Sequence, residues 1–314
     1  MFARLAAIPG LVCRENAPLE NYTRFGLGGP ARVLADAPTE EALRAALDAV
    51  RTEEHALIGG GSNLVASDAG FPGVVLRFTD KSLAIDGTLV RVAAGVVLQD
   101  LVDATIAAGL EGLHTMTGIP GWVGGAIYGN AGAYGHSIHE FVESVRYLDG
   151  SGAREIGNAA CQFRYRESVF KQAKDRIILE TTLRLPRGDA AQLRSTADGI
   201  LKIRNEKYPP DMRCAGSIFK NLILAELPES DRVQVPERVI RAGKVPSAYF
   251  LELASAKGIM RGGIRVADYH ANLIYNSGGG SGAQVREIVD LLKVSVERKF
   301  GLRLEEEVQY LGRF

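Results

Sequence analysis

The stretch TGIPGWVGGAIYGNAGAYG, residues 117–135, decides how this chain is read. Seven of its 19 residues are glycine, interleaved with apolar Ile119, Trp122, Val123 and Ile127. A flexible linker would carry serine and lysine instead. This composition is that of ordered backbone packed flat against a partner. A tricyclic ring system with an attached diphosphate fits such a surface, and so does a closely crossing helix. A second glycine stretch, LIGGGSN at 57–63, continues a short apolar run of strand character. It is not a G-x-G-x-x-G turn opening a helix, and it lacks the Gly-Lys-Ser/Thr of a Walker loop. Gly59, Gly60 and Gly61 with Ser62 and Asn63 can present successive N–H groups and two side-chain donors to a diphosphate. A plain turn has the same residues.

Outward from these stretches, the glycines bunch at 26–29, 59–61, 118–135, 262–263 and 278–282, and they number 36 in 314 residues, against a usual frequency of about 7 %. Clustering without a period marks backbone that turns sharply or approaches a ligand closely. Lys+Arg and Asp+Glu are 37 each, so the electrostatic footprint of a nucleic-acid binder is missing. A hydrophobic share of 46 % with 24 % charged residues excludes a disordered chain and a coiled coil. The length suggests about two domains, or three small ones. Cys13, Cys161 and Cys214 are too few and too scattered for a disulfide framework or a zinc site. His136 and His139 have no evident acidic or cysteine partner, so no metal is expected. No run approaches 18 apolar residues, and the N-terminus has no secretory core. A cytoplasmic protein, off the membrane, is expected.

Periodicity predicts helices over 39–51 (capped by Thr39, with Leu43, Leu47 and Val50 as its stripe), 98–109, 189–206, 247–256 and 283–299. Strands are expected at 55–58, 73–78, 89–95, 142–148, 176–185, 272–276 and 302–311, and Pro209-Pro210 reads as a linker. Uneven alternation of strands and helices implies an α+β chain with several subdomains.

Three further segments carry chemistry-bearing residues. FRYRESVF, 163–170, sets Arg164 and Arg166 beside Tyr165; a surface arginine is the commoner reading, a bidentate carboxylate partner the sharper one. AGSIFKN, 215–221, holds Ser217 with no G-x-S-x-G elbow and no His–Asp pair, so Ser217 acts as a donor or a cap and not as a nucleophile. LEEEV, 304–308, puts Leu304, Glu306 and Val308 on one face of a strand and Glu305 and Glu307 on the other. Most such charge runs are solvated faces.

YTRFGLGGPA (22–31), LIGGGSNLV, GIPGWVGGAIYGNAGAYG, FRYRESVF, AGSIFKN, HANLIYN (270–276) and LEEEV, in this order and spacing, resemble the signature of the UDP-N-acetylenolpyruvoylglucosamine reductase (MurB) family. The resemblance runs from about residue 20 to 311. It implies a two-subdomain FAD-binding fold of the vanillyl-alcohol-oxidase (PCMH) type plus a C-terminal α+β substrate domain. Subdomain 1 would take 1–80 with the terminal strand 301–314, subdomain 2 would take 81–206, and the substrate domain 207–300.

The resemblance further implies noncovalent FAD held by Gly59, Gly60, Gly61, Ser62, Asn63, Thr117, Gly118, Ile119, Pro120, Gly124, Gly125, Ala126 and Asn130, with NADPH as cosubstrate. Arg166, Ser217 and Glu307 would be catalytic, and Tyr165, Lys207, Asn221 and His270 would line the substrate site. The implied reaction reduces the enolpyruvyl ether of UDP-N-acetylglucosamine to UDP-N-acetylmuramate for peptidoglycan. Only small-molecule partners follow from it, with no obligate protein partner. Two departures stand out: Leu222 replaces a proline common in the family, and 223–245 is long with no clear tyrosine loop, which sets the chain nearer the type lacking that loop. A rival flavoenzyme of the same fold, oxidising a sugar or lactone, would often carry a flavin-linking histidine in the first glycine stretch. Residues 57–65 have none. A degenerate nucleotide binder would have lost Arg166, Ser217 or Glu307.

Overall fold

A computed structural model describes residues 1–227, 229 and 235–314. The chain divides into two compact units. The first holds Met1–Asn16, Val33–Gly60 and Gly73–Pro210; the second holds Ala17–Arg32, Gly61–Pro72 and Asp211–Phe314. The expected linker at Pro209-Pro210 coincides with one of these cuts. The others differ from the three-part division expected from the sequence, because 17–32 and 61–72 pack with the C-terminal third.

The first unit is built on two sheets. One has the strand order Val12–Pro18, Pro30–Ala37, Phe71–Phe78, His55–Leu57, the last two pairing in parallel. The other has the order Gly152–Gly157, Val142–Asp149, Ile177–Arg184, Leu89–Ala93, Leu83–Asp86, antiparallel throughout. Helix Glu40–Val50 is capped as expected, with the Thr39 hydroxyl accepting from Ala42 N at 3.2 Å. Ala46, not Leu47, joins Leu43 and Val50 in its buried stripe. Leu43, Leu76, Val90, Leu101, Ile106, Val145, Phe170 and Leu183 share one continuous core.

Asp36 is the main charged group inside this unit. It is 8 % exposed and accepts from Arg77 at 2.6 and 3.0 Å and from Arg14 at 2.8 Å. Burial opposes its charge, but the Arg77 and Arg14 guanidiniums outweigh burial and hold the carboxyl below its usual range. Removing one partner of a buried ion pair strands the other, so Asp36→Asn should cost about 3 kcal/mol near neutral pH. A depressed native pKa confers stability that is present above the unfolded value of about 3.9 and is lost as pH falls through the native value. Urea titrations should therefore show the gap between wild type and variant closing in acid. A gap independent of pH would contradict this.

The second unit carries the sheet Arg213–Ser217, His270–Asn276, Ile264–Ala267, Met260–Arg261 and the helix Gly282–Phe300. That helix buries Val285, Ile288, Val289, Leu292 and Val296 on one face. Ser281 and Gln284 cap it reciprocally, and Asp68 accepts from Gly282 N at 2.7 Å and Ala283 N at 3.0 Å, so a carboxylate sits where the helix dipole favours it. The expected terminal strand 302–311 is corrected. Only Gln309–Leu311 forms a ladder, parallel to Leu64–Ala66. Residues 302–308 are extended and bury Leu302, Leu304 and Val308 in alternation, joined to the fold by one bridge, Phe219 to Glu306. Part of the long stretch 223–245, namely 228 and 230–234, lies outside the described residues. Among the described residues, no helix is long and apolar enough to cross a membrane, and no three His, Cys, Asp or Glu side chains gather as metal ligands do.

Candidate active site

In the first unit the two glycine stretches meet. A Cβ on Gly60 would stand 2.9 Å from Trp122 Cδ1 and 3.0 Å from its Nε1, and one on Gly59 would lie 4.0 Å from Cε3. The Arg77 guanidinium lies over the same indole, 5.2 Å from its centroid. Downstream of Trp122 the chain packs with no room for side chains. Val123 N and Gly124 N donate to the carbonyls of Val96 and Ala94 at 2.9 Å each, and a Cβ on Gly124 would sit 2.8 Å from Ala94 Cβ. Gly125 differs, for nothing lies within 4 Å of where its Cβ would be. Upstream, Gly118 N donates to Gln99 Oε1 at 2.7 Å and Ile119 N to the Met116 carbonyl at 3.0 Å, which sets the turn into Pro120.

Several residues expected at the cofactor have side chains with partners in the fold. The buried Thr117 hydroxyl donates to the His114 carbonyl at 2.8 Å. Asn130, 3 % exposed and at φ +44°, donates through Nδ2 to the Arg164 carbonyl at 2.9 Å. Ala126 packs in the core with Val123 and Ile127. What these residues offer a ligand is backbone.

Arg166 sits at the tip of a tight hairpin. Arg164 N and Glu167 N each donate to the other's carbonyl, at 3.0 and 3.1 Å, and Arg166 takes φ +57°. The guanidinium donates to the Gly132 carbonyl at 3.1 Å and the Asn130 carbonyl at 3.5 Å, and it lies over the Tyr165 ring. The glycine stretch 117–135 thus holds the arginine. Ser168 and Lys171 brace the hairpin: the Ser168 hydroxyl donates to the Tyr128 carbonyl at 2.7 Å, and Lys171 Nζ donates to the Arg166 carbonyl at 3.0 Å. Lys207 ends the helix Ala190–Lys207 with its ammonium over the Tyr208 ring. His136, read as lacking an acidic partner, has one: its Nδ1 lies 2.9 Å from Glu140 Oε2. The partner stands four residues on, within a single turn (i,i+4), which the i,i+3 histidine spacing had drawn attention away from.

In the second unit, segments far apart in sequence converge. Ser217 closes the strand Arg213–Ser217 opposite Leu273, after Gly216 at φ +74°. Glu307 N donates to the Ile218 carbonyl at 2.7 Å, and Lys220 N to the Glu305 carbonyl at 2.9 Å. Residues 218–220 therefore run beside 305–307, which lays Ser217 and Glu307 on neighbouring segments. Asn63 completes the group, its Nδ2 donating to the Glu307 carbonyl at 2.9 Å and its own carbonyl accepting from Gln309 N at 2.9 Å. Gly61 cannot carry a side chain here: at φ +65°, a Cβ would stand 1.8 Å from the Tyr22 carbonyl oxygen.

Two residues that the sequence reading passed over anchor this arrangement. Asn272, 2 % exposed, accepts from Phe219 N at 2.9 Å and donates to the Phe219 carbonyl at 2.9 Å and the Ser247 hydroxyl at 2.7 Å. The available signal was one amide inside the apolar run of HANLIYN. Asn221 Oδ1 accepts from Ser247 N at 3.4 Å, and His270 Nδ1 from Asn272 N at 3.1 Å, so both belong to the same cluster. Glu306 is the second. Its side chain is 13 % exposed and pairs with Lys293 at 2.8 Å and Arg286 at 3.4 Å. Burial alone would raise it, but Lys293, Tyr310 and Arg286 hold it below the ordinary carboxylate range. Tyr310 faces Glu306 and Arg286 without a well-formed hydrogen bond to either, and burial with the adjacent carboxylate pushes its phenol up. The charge run is thus no plain solvated face: Glu306 is tied inward to helix Gly282–Phe300.

Fit to a dinucleotide is tested by the backbone donors. The N–H groups of Gly59 and Gly60 in the first unit, and of Gly61, Ser62 and Asn63 in the second, donate to no acceptor among the described residues. Successive unsatisfied N–H groups are what an anionic diphosphate takes. Residues 31–156 match the model of the FAD binding domain. Fold, donors and match together make the chain an FAD-containing oxidoreductase with the vanillyl-alcohol-oxidase type of fold. Residues 208–311 match the C-terminal domain of UDP-N-acetylenolpyruvoylglucosamine reductase. A reductase of that name from Solibacter usitatus (strain Ellin6076) is 53 % identical over 98 % of this chain and all of its own length. One from Bacillus subtilis (strain 168) is 32 % identical over 95 % of this chain and 93 % of its own. The crystal structure of the Thermus caldophilus UDP-N-acetylenolpyruvylglucosamine reductase superposes with a TM-score of 0.76 at 25 % identity, over 96 % of this chain and 99 % of that one. The chain belongs to the UDP-N-acetylenolpyruvoylglucosamine reductase family.

Proposed function

We propose that the chain reduces UDP-N-acetylglucosamine enolpyruvate to UDP-N-acetylmuramate at the expense of NADPH, a cytoplasmic step of peptidoglycan precursor synthesis. The observation that carries this reading is the convergence of Ser217, Asn63 and Glu307 through the Glu307–Ile218 and Asn63–Glu307 bonds. It is supported by full-length identity of 53 % to a reductase of that name, which also disfavours a sugar or lactone oxidase. Bound FAD would supply the hydride chemistry between NADPH and the enolpyruvyl arm. The backbone of 59–63, 118–120 and 124–126 would hold it.

The remaining chemistry falls to side chains. As C3 gains hydride, negative charge develops on the substrate carboxylate. In this reading the Arg166 guanidinium, held by the carbonyls of Gly132 and Asn130, faces that charge. Glu307 works with it on the enolic carboxylate. The Ser217 hydroxyl gives its proton to C2, and delivery from one side sets the configuration of the lactyl product. Tyr165, Lys207, Asn221 and His270 line the substrate path. The subdivision of the flavin region at 80/81 is part of the proposal; it is supported by one sheet within 12–78, another within 83–184, and the pairing of Gln309–Leu311 with Leu64–Ala66.

NADPH oxidation followed with and without UDP-N-acetylglucosamine enolpyruvate tests this. Without substrate, absorbance should fall by one equivalent per flavin and stop; with substrate, oxidation should continue and UDP-N-acetylmuramate accumulate. Sustained oxidation that ignores the sugar nucleotide would defeat the reading.

A further inference from the structure

In the glycine stretch 57–63, Gly60 lacks a side chain because of the side chain of another residue of the same unit. Its backbone is not in the left-handed region, so alanine is conformationally allowed there. What forbids a side chain is the Trp122 indole, whose Cδ1, Nε1 and Cγ would stand 2.9, 3.0 and 3.3 Å from the added carbon. An indole is rigid and cannot bend aside as a lysine tip would. It is itself constrained. The Arg77 guanidinium lies 5.2 Å above its centroid, and Asp36 fixes that guanidinium with two hydrogen bonds of 2.6 and 3.0 Å. The backbone of Trp122 is bridged to Val97, and the next residue donates to the Val96 carbonyl. Asp36, Arg77, Trp122 and Gly60 therefore form one stack that ends on the backbone whose N–H groups have no acceptor among the described residues.

We propose that Trp122 is a positioning residue for FAD: with Arg77 and Asp36 behind it, its indole sets the Gly59–Gly60 turn in the conformation that presents its N–H groups to the dinucleotide. Gly60 lacks a side chain to seat this indole, not to admit a phosphate. The claim concerns cofactor binding alone and is independent of the sugar-nucleotide reading above.

The test is FAD affinity of the full-length protein freed of flavin, measured as free FAD after ultrafiltration. Trp122→Ala should weaken binding about tenfold, the order expected for one packed cation–π stack, and Trp122→Phe should recover it to within about threefold. Gly60→Ala should weaken binding about tenfold in the natural background and less than about twofold beside Trp122→Ala, because the atom it clashes with is then gone. Equal weakening by Gly60→Ala in both backgrounds would assign the glycine to the ligand and overturn the proposal. Wild-type affinity in Trp122→Ala would overturn it too. Trp122 is the only tryptophan in the sequence, so the unaltered chain supplies a check needing no variant. In the flavin-free protein, acrylamide should quench its emission several-fold less than in urea, since the seat exists before FAD binds, and FAD should then quench it by energy transfer. Quenching by acrylamide as efficient as in urea would mean that no seat is preformed.

Discussion

Replacement of Ser217 by alanine should slow flavin reoxidation by UDP-N-acetylglucosamine enolpyruvate about a thousandfold and leave flavin reduction by NADPH within about twofold of wild type, the size expected for loss of a positioned proton donor. The asymmetry follows from the proposed role. Hydride transfer from NADPH involves no proton at C2, whereas product formation does. Ser217 is positioned by backbone: by its register against Leu273, by Gly216 at φ +74°, and by Ile218 N donating to the Asn272 carbonyl at 3.1 Å. None of these needs the hydroxyl. Stopped-flow flavin absorbance separates the two half-reactions. Equal slowing of both would remove Ser217 from the chemistry.

Asn272→Leu should be among the most damaging single changes in the second unit, although Asn272 carries no proposed chemistry. The amide satisfies the Phe219 N–H, the Phe219 carbonyl and the Ser247 hydroxyl, and Phe219 and Ser247 are 1 % and 0 % exposed. Leucine fills the volume and serves none of them, leaving the Phe219 N–H with no acceptor from this amide and the Ser247 hydroxyl and Phe219 carbonyl with only their long mutual contact of 3.4 Å. With about 1–3 kcal/mol for each buried polar group left unsatisfied, a total near 4 kcal/mol is expected, or about 10 °C in the unfolding midpoint. Activity should fall with it, because Phe219 lies in the segment that runs beside Glu305–Glu307. Calorimetry or circular dichroism decides; a loss below about 1 kcal/mol would mean that Asn272 is dispensable.

Asn272 also shows where sequence reading stops. In HANLIYN it is one polar residue in a strand, and nothing local says that it faces Phe219, more than fifty positions back. Glu306 is similar. Alternation correctly put it with Leu304 and Val308 on the inner face, but a charge run reads as solvated until Lys293 and Arg286 are seen reaching it from a helix. Arg166 marks a different limit. Its segment folds as a hairpin with Arg166 at φ +57°, its guanidinium on the Gly132 carbonyl and Lys171 on its own carbonyl, and nothing in the local residue pattern announces that.

Local residue pattern alone settled the Thr39 cap, the places of the main helices and the cut beside Pro209-Pro210. Each rests on neighbours within a few positions, where periodicity and steric freedom act directly. The seven ordered segments also pointed to the family. Folding alone decided that Trp122 sits on Gly60, that Asn63 is tied to Glu307, and that the chain's cuts fall at 16/17, 32/33, 60/61 and 72/73. These depend on contacts between residues up to 244 positions apart. Such contacts form because buried polar groups must find partners and apolar surface must leave water, and neither demand is written into the spacing of residues along the chain.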